Sequence, residues 1–342
     1  MRIHWKAPLV PGPASWIIDG LRRAQTTTGG TGRKATYNTG MRPSARHPRT
    51  PSGPRLAPPR SRRQALGPLL AGVLLVGTPA SAAADNWVNV GSDRADPLTE
   101  SQGLTSVEVP AGQPNRYTGI GTIPSSVSRR GWNHVGDPDA LNGYYIEPYQ
   151  RDSGGAKMFR VQAPGGAWSE YVHTLDSGEA LNNSFVAISP DGQWMVSGEW
   201  GTMSRLLVFP APGLNPATSP SANLPYAFAI RLDRPVRDVQ GCDFTGATRL
   251  LCSSDDPAGT LFGITKPLLQ VDLAAALSGV DVTGTVTALR QLPLQSGCGG
   301  TFEVQGIDYD RRDGTLRVIV MSPSICILFD SKTWRFRIGQ QL

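Results

Sequence analysis

Beyond residue 85 the apolar residues fall into short runs broken by Gly, Asp, Asn and Pro, with almost no spacing at the helical period. Runs of that kind predict many antiparallel strands and few helices. Four stretches repeat one pattern, a strand, a tight turn and a second strand. They are His134–Ile146 around Asn142-Gly143, Ser184–Val196 around Asp191-Gly192, Gln240–Cys252 around Gly246, and Gln305–Ile319 around Asp313-Gly314. Asn-Gly and Asp-Gly supply the positive φ that a two-residue hairpin needs. Two further strand-like runs follow each hairpin: Ala156–Gln162 and Trp168–Leu175, Arg205–Phe209 and Tyr226–Leu232, Leu268–Leu273 and Val286–Leu292, Ile325–Phe329 and Trp334–Ile338.

Four antiparallel strands per unit, at spacings of roughly 50 to 65 residues, predict the blades of an all-β propeller. Trp87–Val90, Leu104–Val109 and Tyr117–Ile123 add one weaker blade or a closing segment. Five four-stranded blades are expected, with four as the alternative and a β-sandwich as the competing architecture. The segment Ser189-Pro190-Asp191-Gly192-Gln193-Trp194-Met195-Val196 resembles the Ser-Pro-Asp-Gly repeats of the TolB-like and YVTN-like (WD40-like) bacterial propellers. The resemblance is sharp in one blade and degenerate in the other three, and it covers about half of residues 85–342. It implies a fold and says little about chemistry. Residues 210–225, rich in Pro, read as a long surface loop.

The N-terminal part follows a different composition. Residues 1–60 contain 9 Pro and 7 Gly and no apolar period, which predicts a disordered leader. Ser61-Arg62-Arg63 then opens a 13-residue apolar run, Ala65–Gly77, which ends in Ala82-Ala83-Ala84 before Asp85. A basic start, a short apolar stretch and small residues at its end make a signal peptide over 61–84. As a helix that run would rise only about 20 Å, too short to span a bilayer core. The paired arginines resemble a twin-arginine export signal. Residues 1–40 read as an upstream extension that is not translated, with Met41 as the start. The mature domain is therefore expected at 85–342, secreted, with no membrane span after cleavage.

Charge follows the same division. The chain has 33 Lys+Arg and 27 Asp+Glu, a formal +6, yet residues 1–84 hold 13 Lys+Arg and one acid, Asp19. Residues 85–342 hold 20 Lys+Arg and 26 Asp+Glu, so the basicity belongs to the leader and a nucleic-acid partner is not expected. All four cysteines, Cys242, Cys252, Cys298 and Cys326, lie in the mature part. An even number fits an oxidising compartment. Cys242 and Cys252 flank the turn at Gly246, which predicts a bridge across that hairpin and leaves Cys298–Cys326 as the second.

Residues 85–342 contain two histidines, His134 and His173, too few for a three-His zinc site. No Gly-x-Ser-x-Gly elbow or P-loop occurs, and Gly119-Ile-Gly121-Thr-Ile-Pro124 lacks the last Gly of a dinucleotide loop. Asp137, Asp139 and Asn142 share the spacing D-x-D-x-x-[DN]-G with Asp308, Asp310 and Asp313. Closely spaced oxygens suit calcium, while hairpin turns select the same residues. In the repeats His134, Ser184, Gln240 and Gln305 occupy one position, just before the first strand, where a propeller opens its central channel. The second strands end in Glu147, Glu199 and Asp255, expected near the same opening, with Trp200 beside them as a surface contact. Such a ring of polar groups can bind a cation, a sugar or a peptide amine. The expected function is a secreted binding or scaffold protein with a central polar pocket for a small ligand or extracellular partner. The alternative is an extracellular hydrolase that uses the pocket carboxylates, with calcium as the candidate metal: either glycan-active, with two carboxylates as acid and base, or lactonase-like and metal-assisted.

Overall fold

The computed structural model describes residues 84–339, apart from 109–115, 152–154, 181–184, 217, 219, 221 and 222. The leader, the signal peptide and Ser184 therefore lie outside the described residues. Its regular secondary structure is almost entirely strand. The chain begins with β1 (Trp87–Arg94) and a short pair, β2 (Gly103–Val107) and β3 (Arg116–Ile120). A one-turn helix α1 (Ser125–Ser128) leads into the first unit: β4 (His134–Val135), β5 (Asp139–Leu141), β6 (Tyr144–Gln150), β7 (Ala156–Gln162) and β8 (Trp168–Thr174). The second unit is β9 (Ala187–Ile188), β10 (Trp194–Ser197), β11 (Thr202–Pro210) and β12 (Phe228–Arg237). The third is β13 (Val239–Gly246), β14 (Arg249–Ser254), β15 (Pro267–Leu273) and β16 (Val282–Gln291). The last is β17 (Glu303–Asp310), β18 (Thr315–Met321) and β19 (Lys332–Ile338), and its fourth strand is β1. No helix among the described residues is long and apolar enough to cross a membrane.

The hairpins form where the turn chemistry demands them. Asn142 (φ 52°) and Gly143 (φ 76°) take the left-handed conformation between β5 and β6, and Gly314 (φ 69°) does so between β17 and β18. Cys242 and Cys252 lie directly opposite across the β13–β14 hairpin and are bonded. Cys298 is bonded to Cys326.

Two expectations change. Ile325–Phe329, read as a strand from its apolar run, lies largely in a 3-10 helix over Ser324–Leu328. Pro323 precedes that turn, Ser324 takes φ 56°, and Ile325 and Phe329 stay more than half exposed, so the run has no buried face to pair. The missing strand of that unit comes from the other end of the domain: β1 pairs antiparallel with β19, Trp87 opposite Ile338. Trp87–Val90 is thus the closing segment, which leaves β2–β3 as a two-stranded unit. The Pro-rich 210–225 stretch is also less superficial than expected, because Ala211 and Leu224 are buried against the first and second units.

Apolar packing lies between units. Ile120 and Val127 meet Trp132, Tyr149 and Met158 between β2–β3 and the first unit. Phe159 and Val161 meet Phe209 and Met195 between the first and second units. Val196 and Phe228 meet Phe244 and Val271 between the second and third, and Leu251 and Leu268 meet Val304 and Val318 between the third and last. Leu104 meets Ile319 and Met321, bringing the last unit back to β2. The first strands follow the same cycle: β2 packs on β5, β5 on β9, β9 on β13, β13 on β17, and β17 on β2. The outer strands β12 and β16 also pair, in parallel, so the second and third units share one eight-stranded sheet and neither leaves an open outer edge.

First strands in such a cycle do not hydrogen-bond each other along their length, so their inward amides need other acceptors. Buried aspartates supply them. Asp139 accepts from the Ile188 amide (2.6 Å), Asp243 from Tyr309 (2.6 Å) and Asp308 from Ser106 (2.7 Å), each crossing from one unit to the next. Asp137, fully buried at the centre, accepts from Leu104 (3.1 Å) and Ile307 (2.9 Å). Three glycines make room for it. A Cβ at Gly103, Gly241 or Gly306 would stand 2.4, 2.1 or 1.9 Å from its carboxylate oxygens.

Burial pushes the carboxyls of Asp137, Asp139 and Asp243 upward, Asp139 to about 6, and the neighbouring carboxylates add to this against Arg311 and the backbone donors. A carboxyl whose pKa rises on folding holds its proton more tightly in the folded state. Its contribution is present below the ordinary carboxylate range and is lost as pH rises through about 6 and above. Glu179 and Glu199 are shifted downward and act in the opposite sense, losing their contribution as pH falls below the ordinary range. The thermal midpoint is therefore expected to be higher near about pH 5 than near about pH 8. Asp137→Ala strands the Leu104 and Ile307 amides, each costing about 1–3 kcal/mol in denaturant titration.

Candidate functional site

The positions singled out by the repeat do not share one environment. His134 opens β4 opposite Gln150, while Gln240 and Gln305 are buried on β13 and β17. The axis between them holds the Asp137 side chain and its three glycine neighbours.

Each of the three carboxylates has its own cation. Glu199 receives a two-pronged bond from Arg205, 2.7 Å from Nε to Oε2 and 3.0 Å from Nη2 to Oε1, plus the Ala180 amide at 3.0 Å. Burial opposes its charge, but these donors overcome it and hold its pKa below the ordinary range. Glu147 accepts at Oε2 from the Tyr149 hydroxyl (2.6 Å) and Arg160 (3.1 Å). Asp255 Oδ1 is bonded by Lys266 and by the Val304 amide (2.7 Å); burial raises its pKa to about 6 despite Lys266. Asp255 is one more tie from the third unit to the last.

Glu199 and Glu147 line separate cavities. The larger, about 410 Å³, is polar and lies over β11 with Glu199, Thr202, Ser204, Arg205 and Arg231 in its wall. The smaller, about 230 Å³, lies between the end of β3 and β6, with Thr118, Gly119, Gly121, Tyr145 and Glu147 in its wall. Trp200, next to Glu199 in the chain, is exposed, whereas Trp132 is buried and Trp194 packs edge-on against Phe228 at 4.9 Å.

The residues of the candidate calcium spacing make hydrogen bonds within the protein. Asp137, Asp139 and Asp308 are the strand ties described above. Asp310 accepts from the Arg312 amide (3.0 Å), Asp313 from the Thr315 amide (2.9 Å), and the Asn142 amide donates to Glu108 (2.9 Å). Among the described residues no group of three or more His, Cys, Asp or Glu side chains is arranged to hold a metal ion.

One charged network was not anticipated. Lys157 on β7 is fully buried, 3.3 Å from Glu179, and donates to the Gly198 carbonyl at 3.1 Å. Glu179 also meets His173 Nε2 at 2.7 Å, and His173 Nδ1 meets the Leu224 carbonyl at 2.9 Å. Burial lowers the Lys157 pKa to about 8 against the pull of Glu179. The network lies behind the larger cavity and fastens the 175–180 loop to β7 and β8. A lysine set among apolar neighbours at the start of a strand, Ala156-Lys157-Met158-Phe159, is the signal that could have shown it.

No family model matches the chain, and no curated protein matches it. Among solved structures it is similar to a glycosyl hydrolase from Bacteroides ovatus, at 11% identity over 61% of this chain and 67% of that one, with a TM-score of 0.34. So loose a likeness carries no argument about this chain.

The buried network makes an asymmetric prediction. Glu179→Gln leaves Lys157 charged and unpaired in the interior and is expected to cost about 3–5 kcal/mol, while Glu179→Leu combined with Lys157→Met costs much less. Equal losses in the single and double variants, read by denaturant unfolding, would contradict it.

Proposed function

We propose that residues 85–342 form a five-bladed β-propeller, its fifth blade reduced to β2–β3, and that it works as a secreted binding protein rather than a hydrolase. The five seams of apolar packing and the cycle of first strands support the blade number. A β-sandwich would instead concentrate its apolar packing between two facing sheets. The observation that carries the functional reading is the separate ion pairing of Glu147, Glu199 and Asp255. Acid–base hydrolysis by two carboxylates needs them on either side of one bond, about 5–10 Å apart, with one of them kept protonated. Here Glu199 is fixed as a carboxylate by Arg205, and Glu147 lines a different cavity from it. Preorganised, neutralised polar walls suit recognition without chemistry. Ligand sites then lie off the axis, in the surface cavities between blades. The 61–84 sequence and the two disulfides support the secreted part of this reading, and calcium belongs to it only as an accessory to stability.

Three measurements check it. The secreted protein is expected to begin at Asp85 by N-terminal sequencing. Incubation with chelator leaves the unfolding midpoint unchanged unless the Asp137 or Asp308 segment holds calcium. The full chain turns over neither aryl glycosides nor lactones above the buffer rate; turnover abolished by Glu147→Gln or Glu199→Gln would overturn the binding reading.

A further inference from the structure

We propose that the cavity between β3 and β6 is a saccharide site that holds one uncharged sugar ring; the inference rests on the binding reading above and names its ligand class. The space exists because β2–β3 has no third strand. The turn at 96–101 lies against the end of β3 instead, and it comes so close that only glycine fits beneath it. A Cβ at Gly119 would stand 2.5 Å from the Thr99 carbonyl oxygen, and one at Gly121 2.6 Å from that of Leu98. These are the glycines that fail as a dinucleotide loop. The strand so held, with Thr118, Gly119 and Gly121, forms one wall of a space of about 230 Å³ whose other wall is Tyr145 and Glu147.

The polar groups around this space are held and incompletely used. Glu147 is buried, and Tyr149 and Arg160 both bond its Oε2, so the carboxylate is fixed in direction. Oε1 has no protein donor among the described residues. The Tyr145 hydroxyl likewise has no protein partner among them, and burial pushes its pKa well upward, so it stays a donor. Thr118 adds a hydroxyl to the same wall. Arg160 matches the charge of Glu147, so the pair as a whole gives neither a cationic nor an anionic ligand a net attraction. A neutral molecule dense in hydroxyls is what this set can pair. Trp168 completes the chemistry. It is exposed, stands edge-on to Tyr145 at 6.3 Å, and stacks one face on Arg160 at 3.7 Å. That places an apolar ring one contact beyond Tyr145, outside the cavity wall itself, where it braces the Tyr145 ring and reaches a ligand through it.

The test is calorimetric titration of the full chain with glucose, galactose, mannose and N-acetylglucosamine, alongside glucosamine and glucuronate as charged counterparts. At least one neutral sugar is expected to bind more tightly than both charged ones. Thr118→Val, which keeps shape and removes one hydroxyl, should weaken binding about tenfold without moving the sugar-free unfolding midpoint. Glu147→Gln and Trp168→Ala should weaken it at least as much. Binding that persists unchanged in Thr118→Val and Trp168→Ala overturns the site while sparing the binding reading. Absence of binding by every neutral sugar, or preference for a charged one, overturns the ligand class. Hydrolysis of a bound glycoside would instead defeat the binding reading itself.

Discussion

Everything in this domain depends on how the amides at its centre are satisfied. Five first strands converge with little sheet bonding between them, a single parallel bridge at Asp137 and Phe185 apart, and the side chain at their centre is fully buried. The chain answers with aspartate. Asp137 accepts from two strands at once, and Asp139, Asp243 and Asp308 each bind an amide of a neighbouring unit. A carboxylate with two oxygens can join strands that are too far apart for direct pairing, which an apolar side chain cannot do. The cost is electrostatic. Four carboxyls share a buried region with Arg311 and Arg317 as the guanidinium partners, so burial and mutual repulsion raise their pKa values. Ring closure and acid preference are two consequences of one device.

The same device explains what could be read from the chain and what could not. Hairpins were legible because their turns are local: Asn142-Gly143 and Asp313-Gly314 require positive φ, and no distant residue alters that. The Cys242–Cys252 bridge was legible for the same reason. The Asp ties were not, since their partners are amides up to 202 residues away, as for Asp308 and Ser106. Local chemistry suggested turn formers or calcium ligands instead. A non-local clue was nevertheless present. Gln102-Gly103, Gln240-Gly241 and Gln305-Gly306 repeat one dipeptide, and its glycines are the three that contact Asp137. That repeat marks β2 as a first strand equivalent to β13 and β17, which the hydrophobic pattern alone did not.

Closure of the ring illustrates a second limit. An apolar run such as Ile325-Cys326-Ile327-Leu328-Phe329 has strand composition, but a strand also needs a free edge and a buried face. Trp87–Arg94 occupies the edge on β19, its register anchored by Trp87 in the core and by Arg335 against Asp93 at 3.3 Å. The 325–329 run is left to turn, tied by Cys326 to Cys298. Joining the first strand of the domain to the last unit also makes the two ends of the chain interdependent, so neither end can detach without opening the last sheet.

The carboxylates expected at the ends of the second strands divide: Glu147 lies inside β6, while Glu199 and Asp255 lie just past β10 and β14. Different as their places are, Glu147 and Glu199 each face an arginine from the adjoining third strand, Arg160 on β7 and Arg205 on β11. A carboxylate left alone at a seam would be desolvated without compensation, so the pair is what permits a charged residue there. The two pairs then diverge for a topological reason. Beside Glu199 stands a complete unit, and the Ala180 amide takes up its remaining acceptor capacity. Beside Glu147 stands the two-stranded unit, which offers glycines in place of a packed wall, and one carboxylate oxygen keeps no protein donor. Loss of two strands in one unit thus converts a structural ion pair into an oriented acceptor facing open space. Two carboxylates paired alike with an arginine thus differ in whether the second oxygen meets a protein donor.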